Sequence, residues 1–129
     1  MIKKSIILLI AVFFASCEPL FHDDFIIANN CDEDIYVSIT FYNGQDTIFV
    51  VNSYQEYPFY YSEWVGGVSC IETIDYYFTT ISVKKENSFS NVNYINHKLW
   101  KKENVESSRR HAYYTNTKYY LTINPEDFE

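Results

Sequence analysis

The groups able to do chemistry in this chain are few and widely spaced. His22, His97 and His111 are the three histidines of 129 residues, and no His-Glu-x-x-His pair is present to hold zinc. There is no Gly-x-Ser-x-Gly elbow and no glycine-rich phosphate loop. With 3 Gly in the whole chain, the backbone nests that cradle phosphates are hard to build. Asp32-Glu33-Asp34 offers the clustered carboxylate oxygens that suit calcium. Without EF-hand spacing it reads better as an acidic turn. Glu72 and Asp75 are a carboxylate pair whose usefulness depends on their separation in space. The expectation is a protein that is not an enzyme and carries no cofactor and no metal.

Aromatic residues are the richer signal. Tyr54, Tyr57, Phe59, Tyr60, Tyr61 and Trp64 fall within eleven residues, and pairs stand at Tyr76-Tyr77, Tyr113-Tyr114 and Tyr119-Tyr120. Adjacent residues of a strand point to opposite faces, so one of each pair tends outward. Exposed rings with polar tips suit protein partners and sugar rings alike. Tyr60, Trp64 and Trp100 are the candidate binding face. The alternative is cross-strand pairing within a two-sided sheet.

The N-terminus has the form of an address. Lys3 and Lys4 precede an apolar run from Ile6 to Phe14, as in a secretory signal, and the run is shorter than the roughly 20 residues of a membrane-spanning helix. Ala15-Ser16-Cys17 after Phe14 resembles the lipobox of bacterial lipoproteins, which usually has Leu where Phe14 stands. The resemblance implies cleavage before Cys17 and acylation of its thiol, with residues 1–16 as signal peptide. Two or more acyl chains anchor stably, at about 0.8 kcal/mol per buried methylene. Loss of two lysines with the signal takes the charge from −7 to −9, which disfavours nucleic acid as a partner. Cys31 and Cys70 remain as an even pair in an oxidising compartment. Paired, they close a loop whose constraint is worth on the order of 4 kcal/mol; unpaired, they are two buried thiols.

These groups need a scaffold, and the pattern is β throughout. Residues 17–24 are polar and acidic and read as a lipidated tether containing His22 as a solvated side chain. The domain is expected over 25–129. Ile35, Val37, Ile39 and Phe41 alternate with Tyr36, Ser38, Thr40 and Tyr42, then Asn43-Gly44 signals a hairpin. Other strands are expected at 25–29, 47–52, 58–65, 68–74, 76–84, 92–100, 111–115 and 117–123, with Pro125 closing the last. His97–Glu106 is the one helical candidate, equally readable as a strand end and a charged loop. Between Glu18 and Val83 there are 11 acids and no base, whereas residues 84–129 hold 8 bases and 6 acids. Packing C-terminal strands beside N-terminal ones relieves that repulsion; the other reading is a bipolar surface, basic around Lys98, Lys101, Lys102, Arg109 and Arg110.

The fold expected is all-β, a single antiparallel β-sandwich. The lipobox, the strand following Asn29-Asn30 and the ending Tyr120-Leu121-Thr122-Ile123 with Asp127-Phe128 resemble small Bacteroidota-type lipoproteins of unknown function. That resemblance implies an immunoglobulin-like or transthyretin-like sandwich, lipid-anchored at the outer membrane on a face left open. It carries no catalytic residue. The functional expectation is a non-catalytic interaction module of the cell envelope, its partners the membrane and another envelope protein. The alternative is a surface glycan-binding lipoprotein.

Overall fold

The computed structural model describes residues 20–65, 74–108 and 114–129. Eight strands are present: β1 (Leu20–Asn29), β2 (Ile35–Phe41), β3 (Asp46–Val51), β4 (Glu56–Val65), β5 (Phe78–Lys85), β6 (Ser88–Phe89), β7 (Trp100–Ser108) and β8 (Tyr114–Ile123). Among the described residues the only helical elements are short 3-10 turns at Ile74–Tyr76, His97–Leu99 and Pro125–Phe128. The strands form two four-stranded sheets, ordered β4-β1-β8-β7 and β3-β2-β5-β6. Their inner faces share one buried cluster, so the domain is an all-β sandwich.

One pairing departs from a purely antiparallel arrangement. β1 and β8 run parallel, from Leu20 beside Tyr114 to Asn29 beside Ile123. This places the C-terminal strand against the acidic N-terminal one, with Lys118 in register with Asp24 on one side and Glu103 on the other. β1 starts at Leu20, five residues before the boundary expected at Phe25. The segment 20–24 is therefore sheet rather than tether. It forms because β4 and β8 both offer it ladder hydrogen bonds, which outweigh its polar composition.

The β2–β3 hairpin follows the sequence closely. Inward Ile35, Val37 and Ile39 are buried, and Gly44 takes a φ of 86° in the turn. Its N–H donates to Phe41 O at 2.9 Å while Phe41 N–H donates to Gln45 O at 2.8 Å. This is a turn with one left-handed residue, the type that closes three-residue hairpins.

Three expected strands are corrected. Residues 92–99 form a connecting segment, because Asn93 and Asn96 accept from the backbone of Ile95 and Lys98 and curl the chain locally. β7 comes next, in the span read as a helix or charged loop. The two segments expected at 111–115 and 117–123 are one strand from Tyr114 onward, and 68–73 lies outside the described residues.

The core is built from rings crossing between the sheets. Phe78 of β5 meets Phe25 at 5.2 Å, Phe59 at 5.4 Å, Tyr60 at 5.7 Å and Trp100 at 6.3 Å. That Phe59 and Tyr60, adjacent in sequence, both reach Phe78 needs an irregularity. β4 carries one extra residue opposite the Phe25–Ile26 step, and this bulge turns both rings to the same side. Pro58 is accommodated beside it because β4 is an edge strand.

Candidate functional site

Of the residues expected to form a binding face, Trp100 does not reach the surface. Trp100 is 8% exposed, stacked on Phe78 at 6.3 Å, and its Nε1–H donates to Tyr94 O at 2.8 Å. It is a core residue, because the first residue of β7 turns inward, and this removes it from the expected face. Trp64 pairs with Phe21 in the backbone ladder between β4 and β1, one step before its last pair. Tyr60 is half-buried and lines a cleft described below. Cys17 and Cys70 lie outside the described residues. Cys31 is a free, buried thiol that approaches Ile123 O at 3.8 Å, and burial raises its pKa above the ordinary thiol value.

Two surfaces that sequence reasoning did not find are assembled instead. The first is a cleft of about 880 Å³ between the β2–β3 turn and the 74–77 segment. Its floor is Phe41, Tyr60 and Tyr77, with ring centroids 5.2 Å apart for Phe41–Tyr60 and 5.7 Å for Tyr60–Tyr77. Tyr42 and Tyr76 flank it, 76% and 67% exposed, and Asn43 and Gln45 supply amide groups. The geometry is held by hydrogen bonds. Tyr42 N–H donates to Tyr77 O at 2.8 Å, and Tyr77 O–H donates to Ser62 Oγ at 3.2 Å. Burial raises the pKa of Tyr77, keeping this phenol protonated in its floor position.

The second surface is the outer face of β3-β2-β5-β6. Val50, Tyr36, Lys84 and Phe89 stand in register across all four strands. Ile48, 74% exposed, and Phe89, 62% exposed, lie on this face, and the Lys84 ammonium sits 5.8 Å from the Tyr36 ring and 5.9 Å from the Phe89 ring. The strand β3 is thus apolar on both sides: Phe49 packs on the core while Ile48 and Val50 face solvent.

His22 is bound in the sheet rather than solvated in a tether. Its Nδ1 is 2.8 Å from Glu63 Oε1, its Nε2 is 2.9 Å from Asp24 Oδ1, and its ring stacks on Tyr61 at 5.5 Å. Burial lowers its pKa, but the hydrogen bonds to Glu63 and Asp24 outweigh that and raise it above 6.5. With each ring nitrogen facing a carboxylate oxygen, the arrangement favours the doubly protonated ring, which has no lone pair to offer a metal. The arrangement is a structural clasp between β1 and β4.

The acidic triplet also serves the fold. Asp34 Oδ1 accepts from Ser53 N–H at 2.9 Å, and Glu33 O accepts from Asn29 Nδ2 at 2.8 Å. Among the described residues no group of three His, Cys, Asp or Glu side chains is arranged to hold a metal ion. Comparison with protein-family models, curated proteins and solved structures gives no match.

Proposed function

We propose that the chain is a lipid-anchored, non-catalytic module of the cell envelope that docks another protein through the outer face of β3-β2-β5-β6. The observation that supports this most is the two-sided apolar character of β3. A strand covered on one face alternates apolar and polar, whereas a nearly continuous apolar run belongs to a strand covered on both. Leaving Ile48, Val50 and Phe89 in water is unfavourable by roughly 25 cal/mol per Å² of apolar surface. Lys84 at the centre of the row calls for a partner that sets a carboxylate within an otherwise apolar surface.

The anchor supports the same reading. β1 begins at Leu20, three residues beyond Cys17, so a chain acylated there has at most about 11 Å of backbone between lipid and sheet. The domain then rests against the bilayer with a fixed end, suited to presenting a lateral face.

The test is a photo-crosslinking residue placed at Ile48 in the full chain, in cells, with the same residue at Lys101 on the opposite sheet as control. A discrete heavier product from Ile48 alone, abolished by Phe89→Glu, is expected. No product, or the same product from both positions, defeats the docking reading. Cys17→Ser should release the protein from membranes, and retention would defeat the anchor.

A further inference from the structure

We propose that the cleft between the β2–β3 turn and the 74–77 segment is a binding site for a neutral saccharide. Its described lining is aromatic and amide in character, the chemistry that complements a neutral polyol. A sugar ring presents an apolar C–H face and a rim of hydroxyls. Tyr42 and Tyr76 offer large exposed ring faces for the first, and Asn43 and Gln45 offer neutral donors and acceptors for the second.

The site is also built in advance of any ligand. Tyr77 is fixed through its O–H to Ser62 and through its carbonyl oxygen to Tyr42 N–H, so both walls are tied to one floor residue. Asn43 is held by its Oδ1, which accepts from Gln45 N–H at 3.0 Å. A preformed floor avoids part of the ordering cost that weakens flexible sites. A volume of about 880 Å³ lies within the range of small-ligand pockets and accommodates about two or three sugar rings.

The position of the cleft narrows the source of the sugar. Ser62 is in register with Asp23, three residues from Leu20, which is about 10 Å along the strand. On the anchoring proposed above, the cleft belongs to the membrane-proximal end of the domain. The headgroup of a neutral glycolipid and a free oligosaccharide present the same chemistry there, and two experimental arms separate them.

In the first arm the full chain, in a sugar-free zwitterionic detergent, is titrated calorimetrically with maltotriose, cellotriose and mannotriose, and with trigalacturonate as charged control. In the second it is mixed with phosphatidylcholine vesicles with and without digalactosyldiacylglycerol. Binding of a neutral trisaccharide below about 1 mM, weakened about tenfold by Tyr42→Ala and by Tyr76→Ala at unchanged melting temperature, is expected. Binding to the glycolipid vesicles alone, lost in the same variants, also supports the site and assigns it to headgroups. Silence in both arms, preference for trigalacturonate, or binding unaffected by either variant overturns it. The free-sugar arm does not involve Cys17 or the outer face of β3, so its outcome is independent of the docking and anchoring tests.

Discussion

Asn29 Nδ2 donates to Val51 O at 3.0 Å, so a buried side chain of β1 holds the edge strand of the opposite sheet. The same amide reaches Glu33 O and Asn52 O, and its Oδ1 accepts from Cys31 N–H at 2.9 Å. One residue thus closes the end of the sandwich by satisfying backbone groups from two separate segments, 31–33 and 51–52.

Asn29→Leu is expected to strand several of those groups away from water. Each unsatisfied buried group costs about 1–3 kcal/mol, so a total loss of about 3 kcal/mol is expected. A urea unfolding series reads this directly. A change within about 0.5 kcal/mol would show that water or rearrangement replaces the amide.

The clasp around His22 makes stability depend on pH with a definite sign. Its folded pKa lies above 6.5, so its contribution is complete below that value and disappears as the pH rises through the raised one. Glu63 and Asp24 face the two nitrogens, Tyr61 covers the ring, and Asn116 is the register neighbour on β8. The gap in melting temperature between wild type and His22→Gln should be widest near pH 5.5 and close by about pH 9. The pairs are partly open to solvent, so the gap corresponds to about 1 kcal/mol. A gap that widens with pH would contradict the assignment.

Trp100 separates packing from hydrogen bonding. Trp100→Phe keeps most of the ring contact with Phe78 but leaves Tyr94 O without its donor, at about 1–2 kcal/mol. Trp100→Ala also opens a cavity and should lose about 3–5 kcal/mol. Equal denaturant midpoints for the two variants would place Trp100 outside the core.

Tyr94 pins the C-terminal turn. Its hydroxyl is 2.7 Å from Ser90 Oγ and donates to Asp127 Oδ2 at 2.9 Å, while Asn124 N–H donates to the same carboxylate oxygen. Tyr94→Phe should cost about 1–2 kcal/mol. Faster amide exchange should appear in residues 125–129 and not in β2. Uniform exchange across the domain would mean that the turn is not held by this phenol.

What was legible in the sequence was local. The alternation through Ile35–Phe41 and the turn at Asn43-Gly44 are properties of neighbouring residues, and the hairpin appears where they place it. β7 was obscured because an edge strand with one solvated face carries charges where alternation is sought, as in Lys101-Lys102-Glu103. The extra residue in β4 that brings Phe59 and Tyr60 to one side has no sequence signature at all. His22 and Glu63 are 41 residues apart, and Tyr42 meets Tyr77 only because β2 and β5 are neighbours. Those sites are products of topology, beyond the reach of spacing rules.

The parallel ladder between β1 and β8 has a consequence for how the protein is made. β1 is made before β4 and can pair along one edge as soon as β4 follows, but its other edge waits for β8. Contacts such as Asn30 Nδ2 to Asn124 Oδ1 span 94 positions, and closing loops of that length delays completion of the sheet until β8 has been made. A transcript cut short before Tyr114 yields a chain in which this edge of β1 has no strand to fill it. Such fragments are expected to associate with one another and to be degraded, so a truncated message from this gene produces no partial activity.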